Sequence, residues 1–164
     1  MLFRSVANAA DVFPIEFHQM KRARKVLFGK DVLENIDISN EHLRHQVEFE
    51  LRSKLLMLRR QYIPASGSVE GLEALMSDSL VSFIALFRGV LMVLGIDAPV
   101  GRHATLALAI SKLNLDGPAF ETIFNIRQNN YAGAMMETEA NQLFADYLEQ
   151  IERVIDFVDR LDQK

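Results

Sequence analysis

Apolar residues recur at the period of an α-helix along most of this chain, and that period limits its possible folds more than any other feature. From residue 39 to about residue 63 they follow one another in steps of three and four, which places them on one helical face. The members of this face are Leu43, Val47, Leu51, Leu55, Leu58 and Tyr62. Ser39 is suited to cap the start of this helix, and the turn sequence PASGS at 64–68 predicts its end.

A second long helix is predicted from about residue 69 to residue 94. Beyond Leu80 it is apolar on nearly every side, which is typical of a helix at the centre of a bundle. Its longest apolar run, 80–96, is interrupted by Ser82 and Arg88 and is shorter than the roughly 20 residues that span a bilayer. We therefore interpret it as a buried helix and expect no membrane insertion.

Three further helices follow, with short connections between them. A short helix is predicted over about 102–113, and a second begins at the Asp-Gly-Pro sequence of 116–118, where Pro suits the first turn. Thr138 is the predicted cap of a last long helix that runs nearly to the C-terminus. Short connections make sequential helices antiparallel neighbours.

The first 38 residues differ from the rest. Residues 11–17 are aromatic and β-branched around Pro14, a pattern that predicts an extended segment or edge strand. Residues 18–29 predict a short basic helix that ends at Gly29. The predicted fold is therefore all-α: an antiparallel helix bundle of three long and two short helices over 39–164, preceded by a short N-terminal extended segment and a basic helix over 1–38.

Composition excludes several classes of function. The chain of 164 residues has no Cys, so it has neither disulfides nor thiolate metal ligands, which fits a reducing cytoplasm. Its net charge of −4 gives no general attraction to nucleic acid. No glycine-rich phosphate loop is present. We expect a cytoplasmic protein without a cofactor and without a nucleic-acid partner.

The second long helix carries the main candidates for a binding site. Asp78, Ser82 and Arg88 are polar groups on an otherwise apolar helix, and buried polar groups must find partners. They either line a ligand cavity between helices, form helix–helix hydrogen bonds or lie on the surface. No Ser has a recognisable base beside it in the sequence, so the pattern does not indicate a hydrolase.

Two other polar patterns favour ordinary surface roles. His42 and His45 share one helical face with Glu41 or Glu48, but they match no fixed metal-ligand spacing, so we predict no metal site. The basic groups lack interleaved aromatic residues, which favours solvation or pairing with nearby acids over phosphate binding. Their members are Lys21, Arg22, Arg24 and Lys25, and further along Arg52, Lys54, Arg59 and Arg60.

Three stretches carry a resemblance to a known family: HLRHQVEFELRSKLLMLR at 42–59, SLVSFIALFRGVL at 79–91 and FETIFNIR at 120–127. Together they resemble the helical domain that follows the catalytic domain in some prokaryotic nucleotidyltransferases. That domain is similar to the C-terminal substrate-binding bundle of kanamycin nucleotidyltransferase and to HEPN domains. The resemblance covers about residue 13 to the end of the chain.

The resemblance implies a helical substrate-binding or assembly domain. The Asp-x-Asp motif of the catalytic half is not found in this chain, and Gly67-Ser68, which matches a Gly-Ser start, is followed by a predicted helix, so we interpret it as a plain loop. Glu16 is the position that matches a remnant third carboxylate. Arg127 matches the arginine of ribonuclease-type HEPN domains, but no His follows it, so the resemblance does not imply ribonuclease activity. Ligand contacts are assigned to Asp78, Ser82, Arg88 and Arg127.

Two hypotheses of function follow. The first is a non-catalytic bundle that acts with a separate nucleotidyltransferase catalytic subunit or as a homodimer, since 11 Phe residues and several apolar helices suggest surplus apolar surface. The alternative is a small-molecule-binding protein or enzyme with a site inside the bundle.

Overall fold

The computed structural model describes residues 12–23, 25–26, 28–29, 31, 33–34, 36, 38–131 and 133–161. This part of the chain forms six α-helices and no strand, which confirms the predicted all-α bundle with three long and two short helices. The helices are α1 (Pro14–Ala23), α2 (Asn40–Ala65), α3 (Val69–Val93), α4 (Arg102–Leu113), α5 (Gly117–Arg127) and α6 (Glu137–Arg160).

Helix α3 is the centre of the bundle, as its apolar composition predicted. It contacts α2, α4, α5 and α6. Its start is fixed by Ser68, whose hydroxyl accepts a hydrogen bond from the Gly71 amide at 3.0 Å. The aromatic side chains of Phe83 and Phe87 are fully or almost fully buried and lie in the core between α3, α5 and α6.

Helices α2 and α6 pack against each other in antiparallel directions. Arg52 on α2 pairs with Asp159 on α6, and Arg59 pairs with Glu152. Residue numbers therefore rise along α2 in the direction in which they fall along α6. The Tyr62 hydroxyl extends this series, since it donates to Asn141 Oδ1 at 2.6 Å. The predicted Ser39 cap of α2 is confirmed by a 3.4 Å hydrogen bond from the His42 amide.

Helix α6 begins differently from the prediction. Thr138 was expected as its cap, but the helix starts at Glu137 and Met136 is the capping residue. Glu139 satisfies the Met136 amide through a 2.8 Å hydrogen bond to its Oε2. The side chain that stabilises the start of α6 is therefore a carboxylate that accepts from the capping residue's amide, and not the predicted Thr138 hydroxyl.

The prediction of an extended segment over 11–17 is wrong: Val12 is helical, the chain is helical again from Pro14, and residue 11 lies outside the described residues. Pro14 is the first residue of α1, where its fixed φ and missing N–H are compatible with a helix. The predicted basic helix over 18–29 also ends early, at Ala23. Ile15 packs against the main core, whereas Phe17 and Ile36 form a small separate cluster with Leu33 and Ile38.

Candidate functional site

A cleft of about 260 Å³ lies between the C-terminal half of α2 and the middle of α3. Its polar lining combines a cation, an acid, an amide and two hydroxyls over an apolar floor. We call it the α2–α3 cleft; its lining residues are Lys54, Met57, Leu58, Gln61, Leu75, Asp78, Ser79, Ser82 and Phe83. Asp78 and Ser82 share it because they are four residues apart on one face of α3.

The hydroxyl groups near the floor of this cleft are held by structural hydrogen bonds. Ser79 Oγ donates to the Met76 carbonyl at 3.0 Å and lies 3.1 Å from the hydroxyl of Tyr147 on α6. Tyr147 is completely buried, and burial raises the pKa of its phenol while the hydrogen bond to Ser79 lowers it by less. The phenol therefore stays protonated, and the pair Ser79–Tyr147 carries no general base.

Asp78 also borders a second, wider cleft between α3 and α5, where it meets Arg127. Arg127 Nη1 donates to the Ser77 carbonyl at 3.0 Å and to Asp78 Oδ1 at 3.4 Å. The Asp78 side chain is 85% exposed, so solvent screens this ion pair and it contributes little to stability. Ser77 Oγ is buried here without a hydrogen-bond partner. Two of the predicted ligand residues, Asp78 and Arg127, are thus brought together.

Arg88 lies elsewhere and holds a loop instead of lining either cleft. Its Nη2 donates to the carbonyls of Pro99 and Val100, both at 3.0 Å, and to the hydroxyl of Thr105 at 3.1 Å. Thr105 is fully buried at the start of α4. Arg88, which the sequence analysis predicted as a ligand-binding residue, therefore stabilises the connection between α3 and α4 through these hydrogen bonds.

Glu16 takes part in docking α1 on α2. Gln46 Nε2 donates to Glu16 Oε2 at 3.3 Å, and Gln46 Oε1 accepts from the Ile15 amide at 3.1 Å.

Within the described ranges no three His, Asp or Glu side chains are grouped closely enough to hold a metal ion. His45 is exposed and lies 3.8 Å from Glu41.

Two of the four basic residues of α2 that were predicted to be solvated or to pair with acids, Arg52 and Arg59, pair with acids. Arg52 bonds Asp159 and Glu48, and these contacts raise the pKa of its guanidinium, the Asp159 hydrogen bond most. Arg59 binds Glu152. Arg60, by contrast, is exposed and forms no ion pair with a described residue.

The face of α2 opposite the core carries a feature that our sequence analysis did not single out. Phe49, Leu56 and Ile63 are 69%, 65% and 76% exposed, although they are large and apolar. We call these three residues the outward stripe. Their even spacing of seven residues in the sequence could have indicated a second apolar face. The steps of three and four on the inner face of the same helix give a stronger pattern, so this second face was not predicted.

Comparison with known proteins adds no relative: no family model, no curated protein and no solved structure matches this sequence. Within the described residues α3 alone is long and apolar enough to cross a membrane. Its most apolar window is 67% buried inside the bundle, as expected for the core helix of a folded domain.

Proposed function

We propose that this chain is a non-catalytic helical module of the nucleotidyltransferase-associated type, which acts in the cytoplasm by associating with other protein chains. Its partner is a second copy or a separate catalytic subunit. The outward stripe is the observation that carries this proposal, because unshielded apolar side chains on a regular helix are characteristic of protein interfaces.

The distribution of exposed apolar side chains supports this proposal. Phe49, Leu56, Met57 and Ile63 are exposed on α2, whereas no large apolar side chain is exposed on α3, α4, α5 or α6. Scattered single residues of this kind need no explanation, but the three members of the outward stripe lie on one line of one helix and form a directed surface. The inner face of α2 is at the same time buried in the core, so α2 has two apolar faces.

The non-catalytic part of the proposal is tested with the purified chain, Mg²⁺ and nucleoside triphosphates. We expect no nucleotidyl transfer above the protein-free control, because the chain has no Asp-x-Asp motif to hold paired metal ions. Transfer that depends on the protein and is abolished by chelation would contradict it.

The assembly part is tested by light scattering on the wild type and on the triple variant Phe49→Ser, Leu56→Ser, Ile63→Ser. We expect a mass above the 18.6 kDa of one chain for the wild type and a return to that mass in the variant. Because the three side chains are exposed, each substitution should change the free energy of unfolding by only about 0.5 kcal/mol. A wild type that stays at one-chain mass at every concentration argues against self-association.

The α2–α3 cleft favours a second candidate function, the binding of a small molecule. Lys54 and Asp78 place opposite charges at the rim, and Phe83 contributes to an apolar floor, which together suit a one-ring zwitterion. We expect saturable heat on titrating free tyrosine into the chain, and loss of that heat in Ser82→Leu, which fills the cleft. Absence of heat at millimolar tyrosine would contradict the binding of this ligand.

A further inference from the structure

The spacing of the outward stripe indicates what kind of element covers it. Seven residues fall about 20° short of two full helical turns, so Phe49, Leu56 and Ile63 stay on one narrow line along α2. The line is about 21 Å long at the helical rise of 1.5 Å per residue. A narrow apolar line of this length matches a second helix that packs along α2 at a small crossing angle.

The order of the side chains makes the stripe complementary to itself. Leu56 is at its midpoint, seven residues from both Phe49 and Ile63. A two-fold axis that passes beside Leu56, perpendicular to the helix, places the two Leu56 side chains together. It also places Phe49 of each copy against Ile63 of the other, so every member of the stripe gains an apolar neighbour. Self-complementary contact of this kind defines an isologous dimer.

Charge selects the antiparallel arrangement over the parallel one. Residues 40–52 of α2 carry three acids and two bases, whereas residues 53–65 carry three bases and no acid. A parallel pair would bring the two basic halves together, but an antiparallel pair places each basic half along the more acidic half of the other copy. Arg60 is then level with Arg52 of the other copy, whose guanidinium is already bound by Glu48 and Asp159. The helix dipoles also favour the antiparallel arrangement, because each positive N-terminus then lies near the negative C-terminus of the other helix.

We infer that two copies of this chain pair through α2, antiparallel, about a two-fold axis at Leu56. This inference rests on the proposed function and specifies its partner: a second copy of the chain, one per interface. The charges of Arg52 and Arg59 do not oppose the contact, because both guanidinium groups are already bound by acids of α6.

Disulfide mapping tests this arrangement cleanly because the chain has no Cys of its own. Single variants Leu56→Cys, Phe49→Cys and Ile63→Cys are oxidised mildly in the full chain. Ser111→Cys, on the exposed surface of α4, measures linkage by random collision. Circular dichroism verifies that each variant is folded.

We expect Leu56→Cys to link to itself about a hundredfold faster than Ser111→Cys, because pairing raises the local thiol concentration to the millimolar range. Phe49→Cys and Ile63→Cys should each fail to self-link, since their own copies lie about 21 Å apart, and disulfides need Cα atoms within about 7 Å. A mixture of these two variants should link.

The other outcomes separate this inference from the proposed function. Rapid self-linkage of Phe49→Cys and Ile63→Cys would show parallel pairing and overturn the inference. A mass above one chain without linkage at any stripe position would show that another surface associates, which overturns the inference but leaves self-association standing. A one-chain mass together with collision-rate linkage would contradict both.

Discussion

Replacing Phe120 with Ala is expected to lower the free energy of unfolding by about 3–5 kcal/mol. Phe120 is completely buried, and its ring lies edge-on to Phe87 and to Tyr147, with both centroid distances at 5.7 Å. The substitution removes the ring that joins α3, α5 and α6, and the surrounding helices are only partly able to close the cavity. Urea unfolding followed by far-ultraviolet circular dichroism measures the loss.

Phe49→Ala is the matched control for this experiment. It makes the same chemical change on the exposed face of α2, and we expect a change within about 0.5 kcal/mol when the chain is diluted to its monomer. Similar losses in the two variants, or a loss below about 1 kcal/mol for Phe120→Ala, would contradict the placement of Phe120 at the centre of the core.

The second large effect is expected for Gly89→Val, where α3 packs directly against Val47 of α2. A Cβ atom at Gly89 would lie 2.8 Å from Cγ2 of Val47, which is completely buried and rotationally stiff. The added side chain must push the two helices apart or force Val47 out of its rotamer. We expect a loss of about 1–3 kcal/mol in the free energy of unfolding, measured in urea.

A double-mutant cycle identifies the cause of this loss. Val47→Ala removes the atom that the new side chain meets, so the cost of Gly89→Val should be smaller in that background than in the wild type. Gly67→Val serves as the control, because nothing lies within 4 Å of a Cβ placed there. If the cost of Gly89→Val is the same in both backgrounds, contact with Val47 is not its source.

The bundle itself was predictable because helical periodicity is a local property of the sequence. The inner face of α2, with Leu43, Val47 and Leu51, follows from steps of three and four, and each of these side chains is buried. The central position of α3 likewise follows from an apolar surface on every side. These inferences need only residues within a few turns of one another.

The candidate sites were less predictable, since each depends on contacts between distant parts of the chain. Asp78 and Ser82 share a cleft as their spacing on one helix suggested, and Asp78 meets Arg127 across 49 residues. Arg88 was grouped with them because all three are polar groups on α3. Its real partners, Pro99, Val100 and Thr105, are fixed by how the chain returns after α3.

The sequence by itself determined the class of fold and the inner faces of the helices, because burying apolar side chains at the pitch of a helix leaves few alternatives. Only the tertiary structure decided which distant groups meet the polar side chains of those helices. Asp78 and Arg88 both lie on α3, yet the first meets Arg127 on α5 and the second binds the Pro99 and Val100 carbonyls before α4. That difference is set by the directions from which α4 and α5 approach α3, which depend on the packing of whole helices.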